Sequence, residues 1–251
     1  VFVTCNPSGR LATAYESAPQ IQTIVLGSDV NDQSLVMTSS FTSLWLAGRG
    51  LGVRAGDSAV PGIASSLAEM GQGLLLEHTE RLAELACRSF DRAAFLGSGP
   101  RFGAALEAEL KMLEMCGGRV TTCAESYLGL RHGPMAGLTN RTLLVAFIST
   151  NNRRRAYELD LLNEVQQKEL GLCVVYCGSN LPNEIKDSDG RLCVEYGVSS
   201  LLGDDDLVAL DVLVGQLLGF FRCLHERLKP DAPSETGVID RVVPSFPTYS
   251  P

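Results

Sequence analysis

The sequence predicts a three-layer α/β fold in which a parallel sheet lies between helices. Short β-branched runs alternate with longer segments of helical periodicity, an alternation typical of parallel sheets. Two of the runs, 143–149 and 173–177, are apolar throughout, as expected of strands buried on both faces. Hydrophobic residues make up 45% of the 251 residues and charged residues 20%, which excludes an intrinsically disordered chain.

The first part of the chain, residues 1–62, is predicted to be the second half of an α/β module. Its elements are two strands and one helix, at 1–5, 21–26 and 38–51. Thr38 or Ser39 is expected to cap this helix, because hydroxyl side chains accept hydrogen bonds from free N–H groups. The chain starts inside a strand and without an initiator methionine. We therefore expect the rest of this module to lie upstream in a longer protein.

Residues 63–228 are predicted to form a second, complete module. Its strands are placed at 93–96, 120–124, 143–149, 173–177 and 192–198. Its helices are placed at 63–85, 102–115, 156–170 and 205–228. The remaining residues, 229–251, are rich in proline and serine and are expected to form an extended C-terminal tail.

The net charge and the hydropathy of the chain limit the kinds of partner that it can bind. The net charge of −8 and the pI near 5.0 argue against a nucleic-acid partner, which normally requires a basic surface. No apolar stretch reaches the roughly 18 residues that a membrane span needs, since Asp211 and Gln216 interrupt the run 207–221. An anionic ligand would have to be bound by local hydrogen-bond donors.

The eight cysteines are predicted to be reduced and mostly buried. No CxxC pair occurs, and most of the cysteines stand in apolar runs, where a thiol behaves as a small hydrophobic group. Reduced thiols favour a cytoplasmic protein. No metal-ligand spacing and no P-loop occurs either, so neither a metal nor another cofactor is expected.

A charged stripe on the predicted helix 102–115 is the first candidate site. Glu107, Lys111 and Glu114 are spaced i, i+4, i+7 and share one face. Apolar residues flank the stripe on both sides: Leu106, Leu110 and Leu113 on one, and Ala104, Ala108, Met112 and Met115 on the other. The stripe can be a set of surface ion pairs, each contributing about 0.2–0.5 kcal/mol. Alternatively, it contains a partly buried carboxylate with a raised pKa, suited to general acid–base catalysis.

A histidine in a loop is the second candidate. His132 precedes Gly133 and Pro134 and follows a predicted strand, and loops at that position in α/β folds often carry functional residues. An ordinary turn residue is the alternative. His78 and His225 are predicted to lie on helix surfaces.

Two strand-to-helix loops are candidate phosphate sites. Ser98 lies in one, at 97–99, and the other consists of Thr38, Ser39 and Ser40. Free N–H groups and the dipole of a helix N-terminus both attract anions. The spacing around Ser98 is GxGxxxG, so the dinucleotide-binding fingerprint GxGxxG is not met. The alternative for the hydroxyl cluster is simple helix capping.

These segments together resemble the sugar isomerase (SIS) family of phosphosugar-binding proteins. The resemblance is to its tagatose-6-phosphate ketose/aldose isomerase branch, whose members are also described as amino-sugar-6-phosphate deaminases. The resembling stretches are, in chain order, Asn31-Asp32-x4-Met37-Thr38-Ser39-Ser40-Phe41-Thr42, Leu96-Gly97-Ser98-Gly99, Glu107-x3-Lys111-x2-Glu114, Glu125-Ser126-x4-Arg131-His132-Gly133-Pro134, Pro230-Asp231-Ala232-Pro233-Ser234 and Asp240-Arg241-Val242-Val243.

The resemblance implies both the assembly and the roles of the candidate residues. It implies two SIS modules in each protein, a homodimer with sites near the subunit interface, and a sugar-phosphate substrate. Lys111, Glu114 and His132 would be catalytic: Glu114 would move a proton between C1 and C2, and His132 would help to open the sugar ring. The residues expected to bind substrate or phosphate are Thr38, Ser39, Ser40, Ser98 and Glu107.

The expected reaction is aldose–ketose isomerisation of a hexose 6-phosphate or an amino-sugar 6-phosphate. A base that removes the proton alpha to the carbonyl and an acid that opens the ring suffice. With a 2-amino group the isomerised product is an imine, and its hydrolysis releases ammonia. The alternative is a non-catalytic SIS module that binds a sugar phosphate and regulates another protein. The set of Lys111, Glu114 and His132 favours the enzyme.

Overall fold

The chain divides into two compact units in a computed structural model that describes residues 1–15, 17–52, 59–242, 247 and 249. Unit 1 comprises Val1–Val60 and Lys229–Pro251, and unit 2 comprises Pro61–Leu228. The tail groups with unit 1 because it bonds to that unit: the Leu35 amide donates to the Asp231 carbonyl at 3.0 Å, and Arg241 donates to the Asn31 side chain at 3.2 Å.

Unit 1 contains a small parallel sheet and two helices. Strands β1 (Phe2–Thr4) and β2 (Thr23–Val25) pair in parallel, with Val3 opposite Ile24. The short helix α1 (Arg10–Thr13) connects them, and α2 (Ser39–Gly52) follows a 3-10 turn at Ser28–Val30. These bounds agree with the predicted strands and with the predicted helix 38–51.

Unit 2 is built on a five-stranded sheet in which every pairing is parallel. Its strands are β3 (Arg92–Leu96), β4 (Thr121–Glu125), β5 (Thr142–Phe147), β6 (Cys173–Gly178) and β7 (Arg191–Glu195). They lie in the order β4-β3-β5-β6-β7. All residues of β5 and β6 are buried, so the apolar runs are central strands as predicted. The prediction of a parallel α/β sheet is confirmed.

Helices flank this sheet. They are α3 (Ala59–Ala86), α4 (Pro100–Met115), α5 (Tyr127–Arg131), α6 (Asn152–Gln167) and α7 (Asp204–His225). Helix α4 begins two residues before its predicted start, at Pro100. Proline is favourable at the first helical position, because the N–H that it lacks would have no partner within the helix there. The five-residue helix α5 was not predicted, since it is too short to show helical periodicity.

Helix α7 is the core helix of unit 2. By length and composition alone it could cross a membrane, contrary to the expectation that no such stretch exists, but 67% of its most apolar window is buried inside the protein. Asp204, Asp205 and Asp206 form its acidic first turn.

All eight cysteines are free, as the spacing predicted. Five of them are buried, namely Cys5, Cys116, Cys173, Cys177 and Cys223, and Cys193 is half-buried. Cys87 and Cys123 are exposed, which departs from the expectation of burial.

Helices α4 and α7 approach closely where both carry small residues. A Cβ atom added to Gly215 of α7 would lie 2.4 Å from the Cβ of Ala108 in α4, far inside van der Waals contact. At Gly219 the added atom would lie 3.2 Å from the Lys111 carbonyl. Glycine is therefore required at 215 by the distance between the helices.

We predict that Gly215→Ala destabilises the protein by about 1–3 kcal/mol, the usual cost of overpacking a core. Gly103→Ala is the matched control, because an added Cβ at Gly103 meets no atom within 4 Å. Alanine there should stabilise α4 by about 0.5–1 kcal/mol. Urea unfolding of both variants checks the prediction. A Gly215→Ala protein as stable as the wild type would contradict this packing.

Candidate active site

The sheet order predicts a ligand crevice at the carboxyl ends of β3 and β5. Strand β4 lies on one side of β3 and β5 on the other, so the connections after these strands leave in opposite directions. Ligands of doubly wound α/β folds bind at such a switch point. Gly97 follows β3 there, and an added Cβ would lie 2.2 Å from the Arg101 carbonyl oxygen. Gly99, the N-cap of α4, has a φ of 57°, which glycine adopts without strain.

A buried ion pair fixes the start of α4 beneath this loop. The side chains of Arg101 and Asp211 are fully buried; Arg101 Nε donates to Asp211 Oδ2 at 2.7 Å, and Nη2 donates to Oδ1. Tyr196 also donates to Asp211, at 2.7 Å, and Arg101 Nη1 donates to the Ile148 carbonyl. Burial alone would lower the pKa of Arg101, but the Asp211 carboxylate outweighs it and raises that pKa, so the guanidinium stays charged.

The charged stripe of α4 is a single ion-pair set around a buried ammonium. Lys111 is only 3% exposed, and its Nζ lies 2.8 Å from Glu114 Oε2 and 3.3 Å from Glu107 Oε1. The side chains of Glu107 and Glu114 are 17% and 24% exposed. Burial raises the pKa of Glu107, although Lys111 opposes the shift. The stripe thus combines features of both interpretations: its members are ion-paired, and its two carboxylates are partly buried rather than fully solvated.

The two apolar flanks of the stripe differ. Ala104, Ala108 and Met112 are completely buried. Leu106, Leu110 and Leu113 are between 38% and 49% exposed. The stripe therefore lies at the edge of the core. Each glutamate pairs with the Lys111 ammonium through one carboxylate oxygen. In the part of the chain that the structure describes, the second oxygen of Glu114, Oε1, makes no hydrogen bond or ion pair.

His132 is the C-cap of α5 and is exposed. The buried Tyr127 anchors α5 by donating to the Phe147 carbonyl at 2.9 Å. Arg131 ties the other end of α5 to α6, with ion pairs of 2.8 Å to Glu164 and 2.7 Å to Asp160. Within the described residues the imidazole has no hydrogen-bond partner and no bond to the stripe of α4.

A buried glutamate lies near Ser98. Glu158 of α6 is 1% exposed and its Oε2 accepts a hydrogen bond from the Ser149 amide at 2.7 Å, while its buried Oε1 has no hydrogen-bond partner within the described residues. Burial raises the pKa of Glu158. Ser98 follows the carboxyl end of β3, where the crevice is expected.

The hydroxyl cluster of unit 1 already holds an anionic group, the carboxylate of Asp32. It accepts hydrogen bonds from the amides of Thr38 and Ser40, both at 2.8 Å, and from the Ser39 hydroxyl at 2.5 Å. Burial alone would raise the pKa of Asp32, but these hydrogen bonds lower it well below its ordinary value. A phosphate at Thr38, Ser39 and Ser40 would compete with this internal carboxylate, and the cluster caps α2.

Sequence reasoning missed several polar residues that shape the site. Arg101 lies in the first turn of α4, where a positive charge interacts unfavourably with the helix dipole. An arginine at this position was the available signal that it has a buried acidic partner. Asp211 gave the matching signal as an acid within an apolar helix. Glu158 and Asp32 gave none. His78, predicted on a helix surface, is buried, with Nε2 3.2 Å from the Glu195 carbonyl of β7.

The fold and the site define a doubly wound α/β domain whose candidate acid–base groups follow its first two strands. No protein-family model matches the chain. A Streptomyces coelicolor protein, assigned provisionally as the D-galactosamine-6-phosphate deaminase AgaS, is 33% identical over 255 residues, covering 100% of this chain and 64% of that protein. The D-galactosamine-6-phosphate deaminase AgaS of Shewanella sp. is 31% identical, over 98% of this chain and 59% of that protein.

A solved structure shows the same similarity in three dimensions. The tagatose-6-phosphate ketose/aldose isomerase of Escherichia coli superposes with a TM-score of 0.80 at 26% identity, over 95% of this chain and 62% of that one. The chain thus spans 59–64% of the length of these relatives. These similarities support the sugar isomerase (SIS) family for this chain.

The capping of α2 by Asp32 predicts an acid-resistant carboxylate. Its pKa is lower in the folded than in the unfolded chain, so its contribution to stability is complete above the unfolded pKa of about 3.9 and is lost as the pH falls toward the folded pKa. In an NMR titration the Asp32 carboxyl carbon should keep its ionised chemical shift at about pH 3. Asp29→Asn, a nearby exposed substitution, should leave that titration unchanged. An Asp32 carboxyl that titrates near pH 4 would contradict the capping arrangement.

Proposed function

We propose that the protein is an amino-sugar-6-phosphate deaminase that works through aldose–ketose isomerisation. Relatives with the two names, the deaminase AgaS and the tagatose-6-phosphate ketose/aldose isomerase, support this choice. The two activities share their first step, the transfer of a proton from C2 to C1. We further propose that residues 1–62 are the second half of a first SIS module and that 63–228 are the second module.

The observation that carries the proposal is the environment of Glu114. A general base needs a carboxylate that is held in place and still has a free lone pair. Lys111, buried and fixed between two glutamates, holds Oε2 of Glu114, and Oε1 is left for substrate. The half-buried Glu107 shares the same ammonium, so it can orient Lys111 or bind a substrate hydroxyl.

The reaction follows from this placement. With the open-chain aldose bound, Glu114 Oε1 takes the proton from C2. The C2–H electron pair forms the C1–C2 double bond, and the carbonyl oxygen O1 accepts a proton from solvent water. The protonated Glu114 then returns a proton to C1, and the electron pair on the 2-amino nitrogen forms a C2–N double bond. Water adds to this imine, and ammonia leaves with formation of the C2 ketone.

Ring opening precedes proton transfer, and we assign it to His132. An imidazole has two ring nitrogens, one that can donate and one that can accept a proton, and can therefore transfer a proton between the ring oxygen and the anomeric hydroxyl. Its exposed, unpartnered imidazole supports this role. Ser98, in the loop after β3, is proposed to contact the sugar. Thr38, Ser39 and Ser40 are proposed to contribute to phosphate binding, in exchange for the Asp32 carboxylate.

We propose a cytoplasmic homodimer. The eight free cysteines support a reducing compartment. The half-exposed leucines beside the stripe, Leu106, Leu110 and Leu113, support the presence of a partner, because apolar side chains on one helix face lose solvent contact on association. A second copy of the protein is the partner that we propose.

Glu114→Gln should slow exchange of the substrate C2 hydrogen in heavy water by a factor of about 10² or more, as expected when a general base is lost. Galactosamine 6-phosphate is the substrate, and NMR follows the C2 signal. The amide retains the shape of the side chain, and Lys111 keeps its ion pair with Glu107, so the fold should be little affected. Glu109→Gln on the same helix is the control and should exchange normally. Normal exchange by Glu114→Gln would refute the mechanism.

His132→Asn should separate ring opening from proton transfer. We expect slow turnover of the ring-closed sugar, because its opening lacks an acid, while C2 exchange from the open-chain form is largely retained. Turnover is measured by release of ammonia and compared with exchange in the same sample. Equal loss of both rates would assign His132 to proton transfer instead of ring opening.

Light scattering tests the homodimer. At micromolar concentration this chain should give about twice its mass of 26.9 kDa. Replacing Leu106 and Leu110 by serine should shift the protein toward the monomer, since each change removes part of the apolar contact. Serine at Leu76, an 88% exposed residue of α3, is the control. A monomer in the wild type at this concentration would contradict the assembly.

A further inference from the structure

A cavity of about 180 Å³ lies at the carboxyl ends of β5, β6 and β7 in unit 2. Its polar lining comes from the loops after β5, β6 and β7 and from the first turn of α6: Thr150, Ser179, Asn180, Ser199, Asn152 and Arg155. Apolar residues of α3 and of the loop after β7 close the other side. None of these residues belongs to the charged stripe of α4 or to α5, so the cavity is formed by groups that the proposed reaction does not use.

The charge of the lining distinguishes this cavity from two larger ones in unit 2. A cavity of about 370 Å³ is lined by arginines and carboxylates in equal number, and one of about 470 Å³ by glutamates without a basic residue. The 180 Å³ cavity is lined by one guanidinium and by no carboxylate, although two carboxylates bond to lining residues: Asp204 accepts from the Thr150 amide at 2.7 Å and Glu195 accepts from the Asn180 amide. The guanidinium of Arg155 is therefore the group of the lining that can attract an anion.

Arg155 is held in place and still has donors to spare. Its Nε donates to the Ser149 carbonyl at 2.7 Å, Nη1 to Asn180 at 2.8 Å, and Nη2 to Ser179 at 2.9 Å. Three of its five N–H groups are thus bound to neutral carbonyls, and two remain. Among the described residues no carboxylate lies within ion-pair distance of this guanidinium. The positive charge is therefore available to a ligand.

An independent observation points to the same place. Ser179 borders the cavity and is 7% exposed, and its hydroxyl lacks a hydrogen-bond partner within the described part of the chain. A buried hydroxyl is normally bonded, and a rotation about χ1 can turn this one toward a ligand. Asn152 is the first residue of α6, a 16-residue helix, so the positive end of a helix dipole also lies at the cavity.

We propose that this cavity is a second ligand site, which binds the phosphate group of a small phosphorylated polyol. Two guanidinium N–H groups, the Ser179 hydroxyl and the start of α6 match an anion with three terminal oxygens. The volume corresponds to about six water molecules at about 30 Å³ each, enough for a phosphate group and a few carbon atoms. The proposal is independent of the proposed reaction.

The test is an NMR titration of the ¹⁵N-labelled protein with inorganic phosphate, glycerol 3-phosphate and acetate. We expect saturable shifts of the Asn152, Ser179 and Asn180 amides with both phosphates, and weaker binding of acetate. Asn152→Asp should weaken phosphate at least about tenfold, because a like charge faces the anion at short range. Aspartate is favourable at a helix start, so this variant should fold. Arg153→Gln is the control: it changes the charge of the same helical turn by the same amount, but Arg153 does not line the cavity.

Several results would overturn the proposal. They are the absence of saturable shifts at these amides, an equal loss of affinity in Asn152→Asp and Arg153→Gln, and acetate binding as tightly as phosphate. Glu114→Gln separates this site from the proposed active site. Retention of the shifts in that variant supports a second site, and their loss would show that the phosphate binds at the stripe of α4 instead.

Discussion

The ion pair between Arg101 and Asp211 is the interaction on which the rest of unit 2 depends. Both side chains are fully buried, and removal of one partner from such a pair typically costs about 3–5 kcal/mol, because the other charge is left unpaired in the core. Through Ile148 and Tyr196 the pair also reaches the ends of β5 and β7. The first turn of α4, the middle of α7 and two strands therefore share one set of hydrogen bonds.

The chemistry of α4 follows from that constraint. With α4 fixed at its start and packed on α7 through Ala108 and Gly215, one face of the helix is buried and the opposite edge stays partly open. Lys111 falls on the boundary, where its ammonium is too buried to be solvated and must be neutralised by protein groups. Glu107 and Glu114 do this from the two neighbouring turns. A carboxylate held in this way keeps one oxygen in a fixed position for a substrate.

The pattern of apolar residues and the spacing of charged residues were sufficient to predict part of the fold and of the candidate site. The uniformly apolar runs gave β5 and β6, and the i, i+4, i+7 spacing placed Glu107, Lys111 and Glu114 on one face. The choice between a solvated stripe and a buried one needed three dimensions, because it depends on how closely α7 approaches. Asp32 is the clearest case of what the sequence leaves undetermined: its carboxylate occupies the helix N-terminus where we expected phosphate, and its bonds to Thr38 and Ser40 depend on the fold of the loop between them.

A crystal structure of the whole protein with an open-chain sugar-phosphate analogue bound tests the central claim most directly. The claim is that α4, fixed by its buried ion pair, presents Glu114 to the reacting carbons. The account predicts C1 and C2 of the analogue within about 3.5 Å of Glu114 Oε1, with Lys111 still bonded to Oε2. An analogue whose C1 and C2 lie against other residues, with no contact to the stripe of α4, would contradict it.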